Sequence, residues 1–126
     1  MNNKVFAYPD LLMHNFVPQN IQLSLMANYV KKFDKSISFY TTEYDTTFKK
    51  LDFFKEKMLL KPEISGFVFF SLIQFCYENK MNAKLINKSI KLGYELFFVR
   101  EKIYLKDATC LQKIKSKIAN FASKNK

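Results

Sequence analysis

The feature that most constrains the fold is Ser65-Gly66-Phe67-Val68-Phe69-Phe70-Ser71-Leu72-Ile73, a run with no charged residue, set between the turn-like Lys61-Pro62-Glu63 and Gln74. A strand with one wet face alternates apolar and polar residues, and this one does not. The run therefore predicts a strand covered on both faces, as in a parallel sheet with helices on either side. In such a sheet, ligands sit beyond the C-terminal strand ends, which here means beside Ser71 and Gln74.

The rest of the chain supplies the partners for that strand. Lys4 to Tyr8 is a short apolar run closed by Pro9-Asp10, the expected first strand. A first helix starts at Pro18, whose missing N–H costs nothing in a first turn. Ile21, Leu25, Tyr29 and Phe33, with Met26 and Val30, give it one apolar stripe. Ile37 to Tyr40 reads as the second strand, running into Thr41-Thr42-Glu43-Tyr44. Phe48, Leu51, Phe54 and Met58 mark a second helix over residues 47–60, stopped before Pro62. The central strand over residues 66–72 gives way to an irregular stretch at 74–79. A third helix over residues 81–92 ends at Gly93, placed for a left-handed cap. Glu95 to Val99 forms the fourth strand and Ile103 to Leu105 an edge strand. Asp107 can cap a last helix with Leu111, Ile114, Ile118 and Phe121 as its stripe.

Strand and helix alternate with short connections, so the predicted fold is a single doubly wound α/β domain over residues 1–122. Its sheet is mostly parallel, four- to five-stranded, in the order 2-1-3-4, with helices on both faces. Residues 123–126 are expected to fray. The 126-residue length suits one domain, and 48% hydrophobic residues with 14 Phe suffice for a core.

The net charge of +10 rests almost entirely on Lys, with Arg100 as the single arginine. Specific base and phosphate recognition recruits the planar fork of Arg, so no specific nucleic acid is expected as a partner. The lysines describe either a solvated basic surface or a patch for an anionic partner. Cys76 and Cys110 lie far apart with no second thiol at redox or metal spacing, which favours a reduced, cytoplasmic setting. No apolar run is long enough for a membrane span, and no cleavable leader is recognisable. No metal constellation is present, and the sequence calls for no cofactor.

Several segments resemble the sporadic carbohydrate cluster proteins, a bacterial family encoded in surface-polysaccharide loci. Val17-Pro18-Gln19-Asn20-Ile21 is similar to its Val-Pro-Val-Gln-Asn-Leu-like motif. Tyr40-Thr41-Thr42-Glu43-Tyr44 matches a Ser-Ala-Thr-Glu-Tyr-like motif. Gly66-Phe67-Val68-Phe69-Phe70-Ser71-Leu72 matches its third strand, and Glu95-Leu96-Phe97-Phe98-Val99-Arg100-Glu101 the end of its fourth. Loop 9–16 departs from the family, lacking its Gly and Arg. The resemblance implies a role in lipopolysaccharide, capsule or glycan biosynthesis. A more distant likeness is to the catalytic domain of serine recombinases, through the Gln-Asn helix start and the Glu after strand four. The strand-one serine and the arginines that stabilise a pentavalent phosphate are absent here, so that likeness extends to the fold and not to the activity.

The strand ends and the first-helix start assemble the candidate site. Gln19, Asn20, Thr42 and Ser71 are the candidate ligand-binding residues, while Glu43 and Glu101 are the candidate acid/base pair. Their chemistry suits a sugar, a sugar phosphate or a nucleotide sugar. Each also has a plain structural reading. Gln19 and Asn20 would cap the first helix, Glu43 would sit in solvent or an ion pair, and Glu101 would balance Arg100 and Lys102. His14 is a lone loop histidine, and Ser71 has no base nearby in sequence. Two classes of function follow: an enzyme or binder of an activated sugar, and a non-catalytic assembly subunit for a glycan-pathway enzyme.

Overall fold

The computed structural model describes residues 3–10, 17–42, 51–60, 63–77 and 80–107. The expected last helix, His14, Glu43, Cys110 and the domain limits near either end lie outside the described residues. β1 (Lys4–Tyr8), α1 (Gln19–Lys31), β2 (Ser36–Tyr40), α2 (Asp52–Leu59) and β3 (Gly66–Phe69) come first. A short 3₁₀ helix (Leu72–Phe75) and a two-rung hairpin, β4 (Cys76–Tyr77) with β5 (Lys80–Met81), interrupt the alternation. α3 (Ala83–Lys91), β6 (Glu95–Phe98) and β7 (Ile103–Leu105) complete it.

The main sheet has the order β2-β1-β3-β6-β7. The first four of these strands run parallel, and β7 turns back antiparallel on β6. The expected order is therefore observed, with β6 as the fourth principal strand and β7 as the edge.

β3 is central because both of its faces are apolar. Phe67 and Phe69 point into a core shared with Phe54 and Met58 of α2 and with Leu85, Ile86 and Ile90 of α3. Val68 and the following Phe70 point the other way, into a core with Met26 and Val30 of α1. The ring of Phe54 meets Phe67 and Phe69 edge-on at 4.8 and 5.1 Å, the favoured geometry for aromatic quadrupoles. Burying each such side chain contributes about 1.5–3 kcal/mol.

Gly66 has a steric reason. A Cβ built there would lie 2.0 Å from the carbonyl oxygen of Glu95, its β6 partner in the parallel register. Only glycine lets those two backbones approach. The other glycine, Gly93, has φ +93° and completes a Schellman motif at the end of α3. Its N–H donates to Ile90 O and that of Tyr94 to Ser89 O.

Three expectations are corrected. β3 ends at Phe69 rather than Leu72, because Ser71 becomes the cap of the 3₁₀ helix: its Oγ accepts from Ile73 N–H, and Gln74 Oε1 accepts from Ser71 N–H. α3 starts at Ala83 rather than residue 81, because Asn82 Oδ1 caps it through Leu85 N–H and Met81 belongs to β5. The buried seam of α1 is Gln22, Met26 and Val30, while Ile21 and Leu25 are 47% and 44% exposed. A polar residue thus takes the place that apolar spacing had assigned to Ile21. A fourth correction concerns the second helix. α2 begins at Asp52 rather than residue 47, because Leu51 before it is left-handed at φ +53°. Leu51, Phe54 and Met58 of the expected stripe are buried, and Phe48 lies outside the described residues.

Candidate functional site

At the C-terminal edge of the sheet, Ser71 and Glu101 meet. Ser71 follows β3 directly, and Glu101 lies in the tight turn joining β6 to β7, a turn that closes with Lys102 N–H donating to Val99 O. Lys102 adopts φ +55°, the left-handed value this reversal needs. Ser71 Oγ donates to Glu101 Oε2 at 2.7 Å, and Leu72 N–H donates to Glu101 Oε1 at 2.8 Å. Both carboxylate oxygens are thus engaged by groups that belong to the fold. Charge-assisted hydrogen bonds of this kind are the strong ones.

The same edge is tied to β1. Gln74 Nε2 donates to Tyr8 O at 2.9 Å while its Oε1 holds Ser71 N–H. One glutamine therefore fixes the ends of β1 and β3 relative to each other. Ser71 is fully buried, so its hydroxyl serves the clamp and is shielded from a substrate. Glu101 also acts on its surroundings: burial, and then its negative charge, push the half-buried Cys76 thiol above the usual range.

Gln19 and Asn20 are the first two residues of α1, half-buried and exposed respectively. They do not cap it. The cap position is Pro18, which has no side-chain hydrogen bond to give, and its carbonyl accepts from Ile21 and Gln22 N–H at 3.0 Å. The capping reading of these two residues is therefore overturned. Thr42 is half-buried just past β2, where Thr41 N–H donates to Ala7 O and keeps the segment alongside β1. Glu43 lies outside the described residues. Of the six candidates, the structure brings Ser71 and Glu101 into direct contact. The reading of Glu101 as a charge balance for Arg100 and Lys102 gives way to its contacts with Ser71 and Leu72.

Two polar groupings escaped the sequence reading. Gln22, fully buried, accepts from Asp10 N–H at 2.7 Å and donates to Asp10 O and Val17 O at 3.0 and 2.9 Å. It holds Asp10 and Val17 together, and the Gln at a helical i+4 step before Met26 and Val30 was the available signal. The second grouping is at the opposite, N-terminal edge. Lys35 Nζ lies 3.0 Å from Glu95 Oε1, and Tyr104 O–H donates to Glu95 Oε2. These three come from a turn, β6 and β7, so nothing local in the sequence joins them.

Among the described residues there is no cluster of His, Cys, Asp and Glu able to hold a metal ion. No described helix is long and apolar enough to cross a membrane. Comparisons with protein-family models, with curated proteins and with solved structures each find no match.

Proposed function

We propose that this protein is a cytoplasmic accessory of bacterial surface-carbohydrate biosynthesis, which binds a sugar phosphate or nucleotide sugar at the C-terminal sheet edge without turning it over. The pathway rests on the four motif resemblances. The observation that carries the non-catalytic part is Glu101, whose two oxygens are engaged by Ser71 and Leu72. A carboxylate held this way positions backbone; it is poorly placed to exchange a proton with a ligand. Binding is supported by the start of α1, whose cap residue Pro18 makes no side-chain hydrogen bond to the first turn, an arrangement that favours anions. The free thiol of Cys76 suits a reducing compartment.

A second reading is favoured by a specific observation. Ile21 and Leu25, one helical turn apart on α1, are 47% and 44% exposed, apolar side chains suited to a protein partner. On that reading the chain is an assembly subunit for a glycan-pathway enzyme.

Titration with nucleotide sugars and sugar phosphates, followed by amide NMR and product analysis, separates these. Binding predicts shifts at Thr42 and Gln19 to Ile21 with no product. Product formation lost in Glu101→Gln would replace binding by catalysis. Absence of shifts, with a glycan-pathway enzyme co-purifying stoichiometrically, would support the assembly reading.

A further inference from the structure

The N-terminal edge of the sheet, away from the site above, carries a cleft of about 580 Å³. That volume lies within the range of small-molecule sites, roughly 300–1,000 Å³. Its wall includes Phe33 and Tyr104, whose rings lie 4.6 Å apart, tilted by 33°. The Lys35–Glu95–Tyr104 network also lines it, and the side chains of Lys35 and Glu95 are only 12% and 16% exposed. Gly93 leaves its part of the wall open, since a Cβ there would meet nothing within 4 Å.

The charges in the described lining cancel: Lys35 and Lys106 against Asp34 and Glu95. A phosphate or another anion gains little from a neutral wall. The groups also offer both directions of hydrogen bonding. A carboxylate has about four lone-pair sites and an ammonium three N–H donors, so the Lys35–Glu95 bond leaves capacity on each. Tyr104 O–H adds a hydroxyl next to an aromatic face, which suits a ring with one polar rim and one apolar side.

We infer that this cleft binds a neutral, hydroxyl-bearing ring, a glycosyl unit without phosphate, through Glu95, Lys35 and the aromatic wall of Tyr104. The site is independent of the one proposed at the opposite edge, and its ligand preference is the reverse: uncharged rather than anionic.

The test is a titration of the full chain with glucose, galactose and N-acetylglucosamine, each beside its phosphorylated form, followed by amide NMR. The expected result is shifts at Lys35, Ser65, Gly93, Glu95 and Tyr104 with the neutral sugars, and no tighter binding of the phosphates. Tyr104→Phe keeps the ring packing, and Glu95→Gln keeps the shape; each should weaken the neutral sugars about tenfold, the first by removing a hydroxyl partner and the second by removing a charged acceptor. Amide spectra of both variants confirm that they stay folded. Saturating sugar with no shift at this edge overturns the inference, as does tighter binding of the phosphates there. Shifts confined to Thr42 and Gln19 to Ile21 would overturn it while leaving the other site standing.

Discussion

Ser71 Oγ donates to Glu101 Oε2 at 2.7 Å, although 30 residues separate them in the chain. The contact joins the end of the central strand to the turn that leads into the edge strand. With Leu72 N–H on its other oxygen, Glu101 acts as a fastening for the C-terminal edge.

The charge of Glu101 has a titratable neighbour. Burial raises the Cys76 thiol pKa, and the Glu101 carboxylate raises it further by destabilising the thiolate. Removing that charge in Glu101→Gln should lower the pKa toward the ordinary value, leaving the burial contribution in place. Alkylation of Cys76 across a pH series, read by mass spectrometry at that residue, should be slower than for a free thiol at neutral pH. It should accelerate in Glu101→Gln.

Gly66→Ala should destabilise the domain by about 3 kcal/mol, the upper end of overpacking costs, because the added methyl meets backbone rather than a movable side chain. Urea denaturation measures this. An Ala variant as stable as the parent would mean that β3 and β6 are not in the register described.

Gln22→Leu keeps the volume of a buried residue but removes the amide that bonds Asp10 N–H, Asp10 O and Val17 O. The expected cost is about 3 kcal/mol, from losing three hydrogen bonds at roughly 1 kcal/mol each. Amide exchange at Asp10 should rise in the same variant, since its N–H loses its acceptor.

Despite the doubly wound architecture, no covalent protein–DNA adduct should form in a cleavage assay. Pro9-Asp10 follows β1 where a recombinase-like chemistry requires a serine nucleophile with arginines. Weak DNA retention that vanishes with added salt is expected from a charge of +10 and carries no specificity.

The fold was legible where one residue's chemistry decides one local structure. The unbroken apolar run around Phe67 to Phe70 announced a doubly covered strand, and Gly93 marked the end of α3. The limits of β1 also matched the run from Lys4 to Tyr8. Legibility failed where a polar residue is buried for the sake of distant backbone. Apolar spacing selected Ile21 and Leu25 for the core, but α1 turns Gln22 inward because Asp10 and Val17 need its amide. Glu101 was read correctly as belonging to the C-terminal edge, yet its partners Ser71 and Leu72 are brought to it only by the pairing of β3 with β6. The Lys35–Glu95–Tyr104 network was invisible for the same reason: three elements contribute one residue each.

The account turns on whether the Ser71–Glu101 contact is a fastening, and a double-mutant cycle in urea denaturation with Ser71→Ala and Glu101→Gln measures that directly. It predicts a coupling energy of about 1.5 kcal/mol or more, as expected for a hydrogen bond to a charged group in a part-buried site. Additive effects of the two substitutions, with Glu101→Gln as stable as the parent, would contradict it and return Glu101 to the role of a free acid/base group.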